Sequence, residues 1–294
     1  MRYVFIIIAF QSALLAQVKR ISPCSQALSG VRTFAAVYFD DDSLNDLSQF
    51  DMAILDPSNY DSMDVVALKA KGCKPLAYLN IGEVETYRDY FDLVDTSILL
   101  GPDSRWRDRF YVDMCDPQWQ EIVMKARLPD VIAKGFCGIF LDLSDLLSEF
   151  PETNDCAVAL IKKIHKISPS SILVLDGGLP ILEKVGNDID GIAVEGMRGF
   201  YDFDSDDYEV NPDSVVVREA QKLQAEAKTF KLTVFQLDYA SPADVGLRRD
   251  IIQESRKLGF VPYVGTIELD TLFTDTLQRL KAADPRNEQP AHRP

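Results

Sequence analysis

Three features of the sequence predict an α/β protein of the (β/α)8, or TIM-barrel, class, formed as a single domain with long loops after strands 3 and 6. Short apolar runs recur eight times, segments with helical apolar spacing (156–167 and 215–227 are examples) separate most of them, and a polar residue follows each run. Strand and helix alternating eight times is the pattern of this barrel. The predicted strands are 34–39, 52–55, 76–79, 139–141, 172–175, 192–194, 232–237 and 260–264.

The stretch 131–145, VIAKGFCGIFLDLSD, shows one such unit. A helix ends at Lys134, Gly135 stops it, a short apolar strand follows, and Asp142 stands where that strand ends. An apolar run entered through glycine and closed by a carboxylate is typical of a parallel strand covered on both faces. The polar end of such a strand is where this fold places its chemistry.

The polar residues at the strand ends form a predicted ring. A barrel has its active site at the carboxyl ends of its strands, so this ring is the expected floor of a cleft. An aspartate at a strand end can instead cap the following helix, but that explanation is weaker for a whole ring than for one residue. The ring consists of Asp40, Asp56, Asn80, Asp142, Asp176, Glu195 and Asp238, with Tyr263 and Thr266 at the eighth strand.

Two connections are too long to be single helices: 81–133 after the third strand and 196–231 after the sixth. Long loops on this face of a barrel usually shape a binding cleft. They are rich in aromatic residues, which either stack on the apolar faces of a ligand or serve in packing. These aromatic residues are Trp106, Tyr111, Trp119, Phe200, Tyr201 and Tyr208.

The charge balance narrows the range of partners. Lys and Arg together number 31 against 46 Asp and Glu, so the net charge is −15. Such a chain repels nucleic acid and anionic lipid surfaces, and a partner that uses this charge is neutral or cationic. General solubility is the alternative explanation of the charge. We expect a monomer.

The two ends of the chain carry processing and linker signals. Residues 1–16 resemble a secretory signal, with one basic residue and an apolar run too short to span a bilayer comfortably. We therefore expect a secreted or periplasmic protein with no stable membrane anchor after cleavage near Ala16. Residues 17–30 form an N-terminal tail, 31–283 the barrel domain, and 284–294 a polar tail predicted to be disordered.

Five cysteines in an exported chain permit disulfides, with one cysteine left over. Cys73 and Cys137 each precede a predicted strand, and those strands are neighbours, so a bridge between them is geometrically possible; buried free thiols are the alternative. The cysteine spacings match no zinc pattern, and only His165 and His292 could add imidazole ligands. We expect no metal and no cofactor.

Asp142 and Glu195 end the fourth and sixth predicted strands, and even-numbered strands contribute to the same interior layer of a barrel. Strands two apart are separated by roughly 9 to 10 Å, so the two carboxyl groups can come to about 5 to 9 Å. That interval covers both geometries of glycosidases, which use one carboxylic acid and one carboxylate and need no metal, histidine or nucleotide. The sequence has no P-loop, GxGxxG or G-x-S-x-G motif.

Seven segments, in order, resemble the family 114-type glycoside hydrolases. These are endo-α-1,4-polygalactosaminidase-like TIM barrels related to the hydrolase domain of the Pel polysaccharide system. The resemblance extends from about residue 33 to 280. The segments are DMAILDP (51–57), LAYLNIGEVETYRDYF (76–91), KGFCGIFLDLSD (134–145), LDGG (175–178), IDGIAVEG (189–196), LDYA (237–240) and PYVGTIELD (262–270).

The resemblance implies an exported hydrolase of an α-1,4-linked galactosamine or N-acetylgalactosamine polymer. The family's catalytic pair falls on Asp142 and Glu195, with Glu195 the preferred nucleophile or base and Asp142 the preferred acid. A partly deacetylated polymer is cationic, which suits the negative charge. The residues expected to line the sugar subsites are Asp56, Tyr78, Asn80, Glu83, Tyr87, Arg88, Asp176, Asp238, Tyr239, Tyr263 and Glu268.

Two positions depart from the family pattern: Cys137 stands where relatives often have Asp, and Asp176 where they often have Asn. Cys137 is expected to be structural, and Asp176 to add a charge that raises a neighbour's pKa. Arg88 can alternatively pair only with Glu83 or Glu85. Two other functions stay open: a carbohydrate-binding barrel without activity, and an enzyme of another reaction class with a bound cation in the acidic cleft.

Overall fold

The computed structural model describes residues 24, 28–38, 44–143, 145–274 and 277. Within them the predicted TIM barrel is confirmed: eight parallel strands follow each other around the barrel in chain order. The predicted signal 1–16, the tail 284–294 and Asp40 lie outside the described residues. The barrel strands are Phe34–Val37, Met52–Leu55, Lys74–Asn80, Gly138–Asp142, Ile172–Asp176, Gly191–Glu195, Thr233–Tyr239 and Val261–Gly265.

The first and eighth strands lie side by side, so the sheet nearly closes on itself. Just beyond their ends, the backbone N–H of Tyr38 donates to the carbonyl of Leu269 at 3.1 Å. All eight strands therefore point their carboxyl ends toward the same mouth, where side chains distant in sequence meet.

Alternation along the strands divides the apolar side chains into an inner and an outer core. Tyr78 is in register with Phe140, and both belong to the inner core. The next pair, Leu79 with Leu141, belongs to the outer core beneath the helices. Successive side chains of a strand point to opposite faces, so a strand buried on both faces reads as one apolar run.

Helices cover the outside of the barrel, and local signals explain several of their ends. Asp61 and Asp64 form a capping box at the start of Ser62–Ala70, and Gly135, with φ of 81°, ends the helix before the fourth strand as predicted. A π-helix, Ile122–Arg127, joins two of the helices. The α-helices are Leu44–Leu47, Ser62–Ala70, Pro117–Glu121, Leu128–Lys134, Leu146–Glu149, Asn154–Ile167, Leu182–Val185, Asp213–Phe230 and Val245–Lys257.

Both long connections build small antiparallel sheets at the mouth of the barrel. After the third strand, Glu83–Glu85, Leu99–Pro102 and Arg109–Val112 form a three-stranded sheet, which we call the first insertion. After the sixth strand, Gly199–Asp202 pairs with Asp207–Val210 in a hairpin, which we call the second insertion. None of the helices in the described part of the chain is long and apolar enough to cross a bilayer.

Two disulfides tie peripheral segments to the barrel. Cys24 pairs with Cys137 at the start of the fourth strand, and Cys115 pairs with Cys156 in the helix Asn154–Ile167. The predicted Cys73–Cys137 bridge is therefore wrong, because the N-terminal segment supplies the partner of Cys137. Cys73 is a buried thiol, and burial raises its pKa to about 12. It is thus chemically inert under ordinary conditions.

Replacing both Cys115 and Cys156 by Ser is expected to lower the free energy of unfolding by about 2 to 4 kcal/mol, because the bridge restricts the unfolded chain across 41 residues. Denaturant unfolding of the variant and of wild type, each with and without reductant, measures the effect. Reductant should destabilise wild type at least as much, since it opens both bridges. A variant that unfolds at the wild-type denaturant concentration would contradict the expectation.

Candidate active site

A cleft of about 1630 Å³ opens at the carboxyl ends of the barrel strands. Its floor is formed by strand-end residues, and its walls by both insertions. Most predicted site residues border it. Those that do are Asp56, Tyr78, Glu83, Tyr87, Arg88, Asp142, Asp176, Glu195, Tyr239 and Glu268.

Asp142, the last residue of the fourth strand, is nearly buried, with 8% of its surface exposed. The hydroxyl of Tyr78 donates to its Oδ2 at 2.7 Å, and Nδ2 of Asn80 donates to the same oxygen at 3.1 Å. Both donors come from the third strand, where Asn80 is in register with Asp142. Two neutral donors on one carboxylate oxygen stabilise its charged form and hold its orientation.

Asn80 is itself held by the start of the first insertion. Its Oδ1 accepts from the backbone N–H groups of Gly82, at 2.9 Å, and of Glu83, at 2.8 Å. This fixes which side of the amide faces Asp142. A Cβ at position 82 would lie 2.8 Å from the carbonyl oxygen of Leu143, so the turn requires glycine.

Glu83 and Asp103 form a buried carboxyl pair behind Asn80. Burial first, then the charge of Asp142 and a hydrogen bond with Asp103, raise the pKa of Glu83 to about 8. Burial also acts to raise the pKa of Asp103, but hydrogen bonds from Arg105 prevail and lower it to about 2. The proton of this pair therefore lies on Glu83 at neutral pH. Because Glu83 is fully buried, it supports Asn80, whose Nδ2 lies 3.2 Å from its Oε2, rather than touching a ligand.

Glu195, the last residue of the sixth strand, is exposed to the cleft by surface area, yet the cleft walls around it displace much of the surrounding water. This burial is the largest cause that raises the pKa of Glu195, and the charge of Asp142 adds to it. Hydrogen bonds from Asp176 and from the hydroxyl of Tyr239, together with the charge of Arg109, act in the opposite direction. The net direction is upward.

Arg109, at the start of the last strand of the first insertion, is a cation that the sequence prediction missed. Its guanidinium lies 4.5 Å from the centre of the Trp106 ring. It also borders the cleft, where burial raises the pKa of Glu195 and Tyr78 and the positive charge of Arg109 acts in the opposite direction. Arg109 therefore supplies positive charge to a predominantly acidic mouth. The insertion's sheet pairing, which the sequence does not reveal, is what turns this residue toward the strand ends.

Arg88 joins two buried carboxylates at one side of the cleft. It donates to Glu85 through Nε and NH2, each at 3.0 Å, and to Asp56 through NH1 at 2.6 Å. The expected alternative, pairing with Glu83 or Glu85, thus describes part of its role. The exposed ring of Tyr87 lies 5.1 Å from the guanidinium at the cleft rim. Glu268, expected to line a sugar subsite, is also exposed there, in a turn after the eighth strand.

Three predicted site residues do not border the cleft: Asn80, which supports Asp142 from the third strand, Asp238 and Tyr263. Leu237 and Tyr239 belong to the inner core, so Asp238 between them faces outward, fully buried, where its Oδ1 accepts from the backbone N–H of Arg198 at 2.9 Å. Burial raises the pKa of Asp238 to about 6. Tyr263 does point inward, but it packs deep in the barrel against Phe34, with ring centres 5.6 Å apart.

The predicted aromatic residues divide between cleft and packing. Trp106, Phe200 and Tyr201 border the cleft. Trp119 is fully buried, with Nε1 donating to the carbonyl of Ile81 at 2.8 Å. Tyr111 and Tyr208 also serve in packing.

Three further aromatic residues that the prediction did not name border the cleft: Tyr38, Tyr90 and Phe203. The ring of Tyr38 lies 4.3 Å from that of Tyr78, above the catalytic candidate Asp142. Phe203 touches Trp106 edge-on, with ring centres 5.3 Å apart, and so joins the two insertions. Tyr38 falls inside the first predicted strand, which in the structure ends one residue earlier at Val37, and Phe203 lies in the turn of the second insertion, so no motif marks either residue.

The family model of glycoside-hydrolase family GH114 matches residues 18–280. The chain belongs to this family. An uncharacterized protein of Methanocaldococcus jannaschii is 31% identical over 261 residues, which cover 77% of this chain and 73% of that protein. An uncharacterized protein of Deinococcus radiodurans is 26% identical over 245 residues, covering 77% and 76%.

Solved structures share the fold of this GH114 chain. The glycoside hydrolase domain of PelA from Pseudomonas aeruginosa has a TM-score of 0.74 and 23% identity, covering 83% of this chain and 98% of that domain. Ega3 of Aspergillus fumigatus, solved in complex with galactosamine, has a TM-score of 0.63 and 15% identity, covering 85% and 96%. At these identities the likeness establishes the TIM-barrel fold.

The GH114 site brings two carboxyl groups from the fourth and sixth strands to one cleft in different surroundings. Asp142 accepts hydrogen bonds that favour its charge, whereas Glu195 lies where burial favours a bound proton. Acid-assisted cleavage of an acetal needs this difference, because one group must give a proton while the other stays negative.

Proposed function

We propose that this GH114 glycoside hydrolase cleaves an α-1,4-linked galactosamine or N-acetylgalactosamine polymer, using Asp142 and Glu195. The observation that carries the proposal is the pair of strand-end carboxyl groups at one cleft, one accepting hydrogen bonds from two neutral donors and the other with a raised pKa. The fold shared with Ega3, whose structure contains galactosamine, supports the choice of sugar.

The surroundings favour an order of roles opposite to the one expected from the resemblance. Asp142, with donors from Tyr78 and Asn80, suits the negative nucleophile or base. Glu195, whose pKa is raised, suits the acid that protonates the leaving oxygen. The proposed role of each carboxyl group thus depends on the side chains that surround it.

An amine-bearing substrate fits the charge of the protein. The net charge is −15, and acidic residues border the cleft at several points. A partly deacetylated galactosamine polymer carries positive charge and would be attracted to this mouth. We further propose that the enzyme is exported and acts as a monomer; the two disulfides support an oxidising compartment.

Incubation with defined galactosamine and N-acetylgalactosamine oligomers tests the function, with product length measured by mass spectrometry. Shorter oligomers with new reducing ends are expected. Saturable binding without new ends would instead identify a carbohydrate-binding barrel that has no activity. Loss of activity on chelation would point to a different reaction with a bound cation.

Raising the salt concentration is expected to raise KM on a deacetylated oligomer and to leave KM on the fully acetylated oligomer of equal length nearly unchanged. Screening weakens the attraction between the acidic cleft and the amines, whereas the acetylated control carries no charge. Initial rates between low and physiological ionic strength measure both constants. Equal salt dependence for the two oligomers would exclude electrostatic attraction as the basis of substrate choice.

A further inference from the structure

A third carboxyl group stands between the two proposed catalytic ones. Asp176 ends the fifth strand, in register with Asp142 on the fourth strand and with Ala193 on the sixth. Glu195 lies two residues beyond Ala193 and thus points to the same inner side, one step closer to the mouth. Neighbouring strands are about 4.8 Å apart, so three acidic side chains share one wall of the cleft.

Asp176 is nearly buried, with 5% of its surface exposed. The backbone N–H of Gly177 donates to its Oδ1 at 3.0 Å, and its side chain forms a hydrogen bond with Glu195. An ionised carboxylate only accepts hydrogen bonds, so a bond between two carboxyl groups requires a proton on one of them. The two carboxyl groups lie on neighbouring strands, and repulsion between two adjacent charges favours a proton on one of them.

The neighbours indicate where the proton rests. Burial, followed by the charges of Glu195 and Asp142, raises the pKa of Asp176 well above its ordinary value. The same hydrogen bond lowers the pKa of Glu195, so the expectation that Asp176 raises a neighbour's pKa does not hold for Glu195. Asp176 thus holds the proton at rest and donates to Glu195. The other titratable or charged groups facing the pair are Tyr239 from the seventh strand, Tyr38 beyond the first strand, and Arg109 from the first insertion.

We propose that Asp176 and Glu195 share a single proton, and that this proton is the one the leaving oxygen receives when the glycosidic bond breaks. Asp176 is then a positioning residue, which acts through Glu195. The inference rests on the proposed function, because it requires a leaving group that takes a proton.

The charges balance in this scheme. Before the reaction Asp142 is negative and the Asp176–Glu195 pair carries one negative charge and one proton. As the bond from the anomeric carbon to the leaving oxygen breaks, the shared proton moves from Asp176 across the hydrogen bond to Glu195 and from Glu195 to that oxygen, and the pair becomes doubly negative. Asp142 loses its charge in the same step, either by bonding to the anomeric carbon or by taking a proton from the attacking water. The three groups together keep two negative charges throughout.

The variant Asp176→Asn tests the scheme, because the amide still donates to Glu195 but cannot hold the proton. In wild type, loss of the shared proton leaves Asp176 and Glu195 both negative, next to the negative Asp142. Repulsion among these charges means that the proton is lost only at high pH. In the variant, Glu195 loses its proton next to a neutral donor. The alkaline limb of the pH profile of kcat/KM is therefore expected to move down by at least about one pH unit.

Asp190→Asn is the matched control. Asp190 directly precedes the sixth strand, at the opposite end of the barrel, and its Oδ2 accepts from the backbone N–H of Leu173 at 2.9 Å. The same chemical change there should leave the alkaline limb in place. An unmoved or raised limb in Asp176→Asn, or an equal shift in the control, would overturn the proposal.

Infrared spectroscopy provides a readout that needs no activity. In a pH titration of the protein without substrate, the C=O band of a protonated carboxyl group should persist to a higher pH in wild type than in Asp176→Asn, while the contribution of Glu83 is the same in both. If the band disappears over the same pH range in the two proteins, the shared proton is refuted. If the band persists longer in wild type but wild type cleaves no oligomer, the shared proton stands and the proposed function fails.

Discussion

Asp142→Asn and Glu195→Gln are each expected to lower kcat on galactosamine oligomers by about 10²-fold or more while leaving the barrel folded. Removing a positioned acid or base costs about 10² to 10⁴ in rate, and loss of the negative group opposite the acid costs at least as much. Initial rates, with circular dichroism to verify folding, measure the effect. Asp190→Asn serves again as the control that changes a carboxyl group remote from the cleft.

The same two variants distinguish the order of roles. On a substrate with an activated aryl leaving group, which departs without a proton, Glu195→Gln should recover much of the bond-breaking rate. Asp142→Asn should not, because the negative group is needed for either leaving group. Recovery in Asp142→Asn instead would reverse the assignment. Wild-type turnover in both variants would refute the two-carboxylate mechanism.

Arg88→Met is expected to lower the free energy of unfolding by about 3 to 5 kcal/mol, because it leaves two carboxylates buried without their cation. The side chain of Arg88 is 4% exposed, and those of Asp56 and Glu85 are 8% and 1% exposed. Chemical denaturation of the variant and of wild type measures the loss. The cost arises from the uncompensated charges, since the methionine side chain fills much of the same space.

Arg218→Met is the matched control for this change. Its pair with Glu219 lies at the surface, with side chains 69% and 40% exposed, so the expected effect is within about 0.5 kcal/mol of zero. Adding Asp56→Asn and Glu85→Gln to Arg88→Met should restore part of the stability, because neutral side chains leave no buried charge. A loss below about 1 kcal/mol in Arg88→Met would show that the network carries little stability.

The carboxyl groups at the mouth differ in their protonation because their neighbours differ. Asp142 accepts hydrogen bonds from neutral donors on an adjacent strand, and Glu83 has its own partner in Asp103. Asp176 is buried, and the charges of Asp142 and Glu195, at the ends of the strands on either side, act on it. If all of these carboxyl groups were charged, they would repel one another. Distributing protons over Asp176 and Glu83 keeps the acidic mouth compatible with a folded barrel.

The sequence was sufficient to predict the barrel, the two long connections after the third and sixth strands, and the strand-end position of Asp142 and Glu195. These properties depend on local patterns: apolar runs bounded by turn residues, glycine after a helix, and a polar residue where a strand ends. Such patterns can be recognised in the sequence because each strand and helix must form its backbone hydrogen bonds and bury its own apolar face.

Only the tertiary structure decided which way the strand-end residues point and what the loops contact. A strand buried on both faces has no apolar–polar alternation to mark its inner side, so Asp238 could not be distinguished from Tyr239 in advance. The disulfide between Cys24 and Cys137, and the approach of Arg109 to Glu195, join segments far apart in the chain. Distances between such segments follow from packing of the whole barrel, which no local pattern encodes.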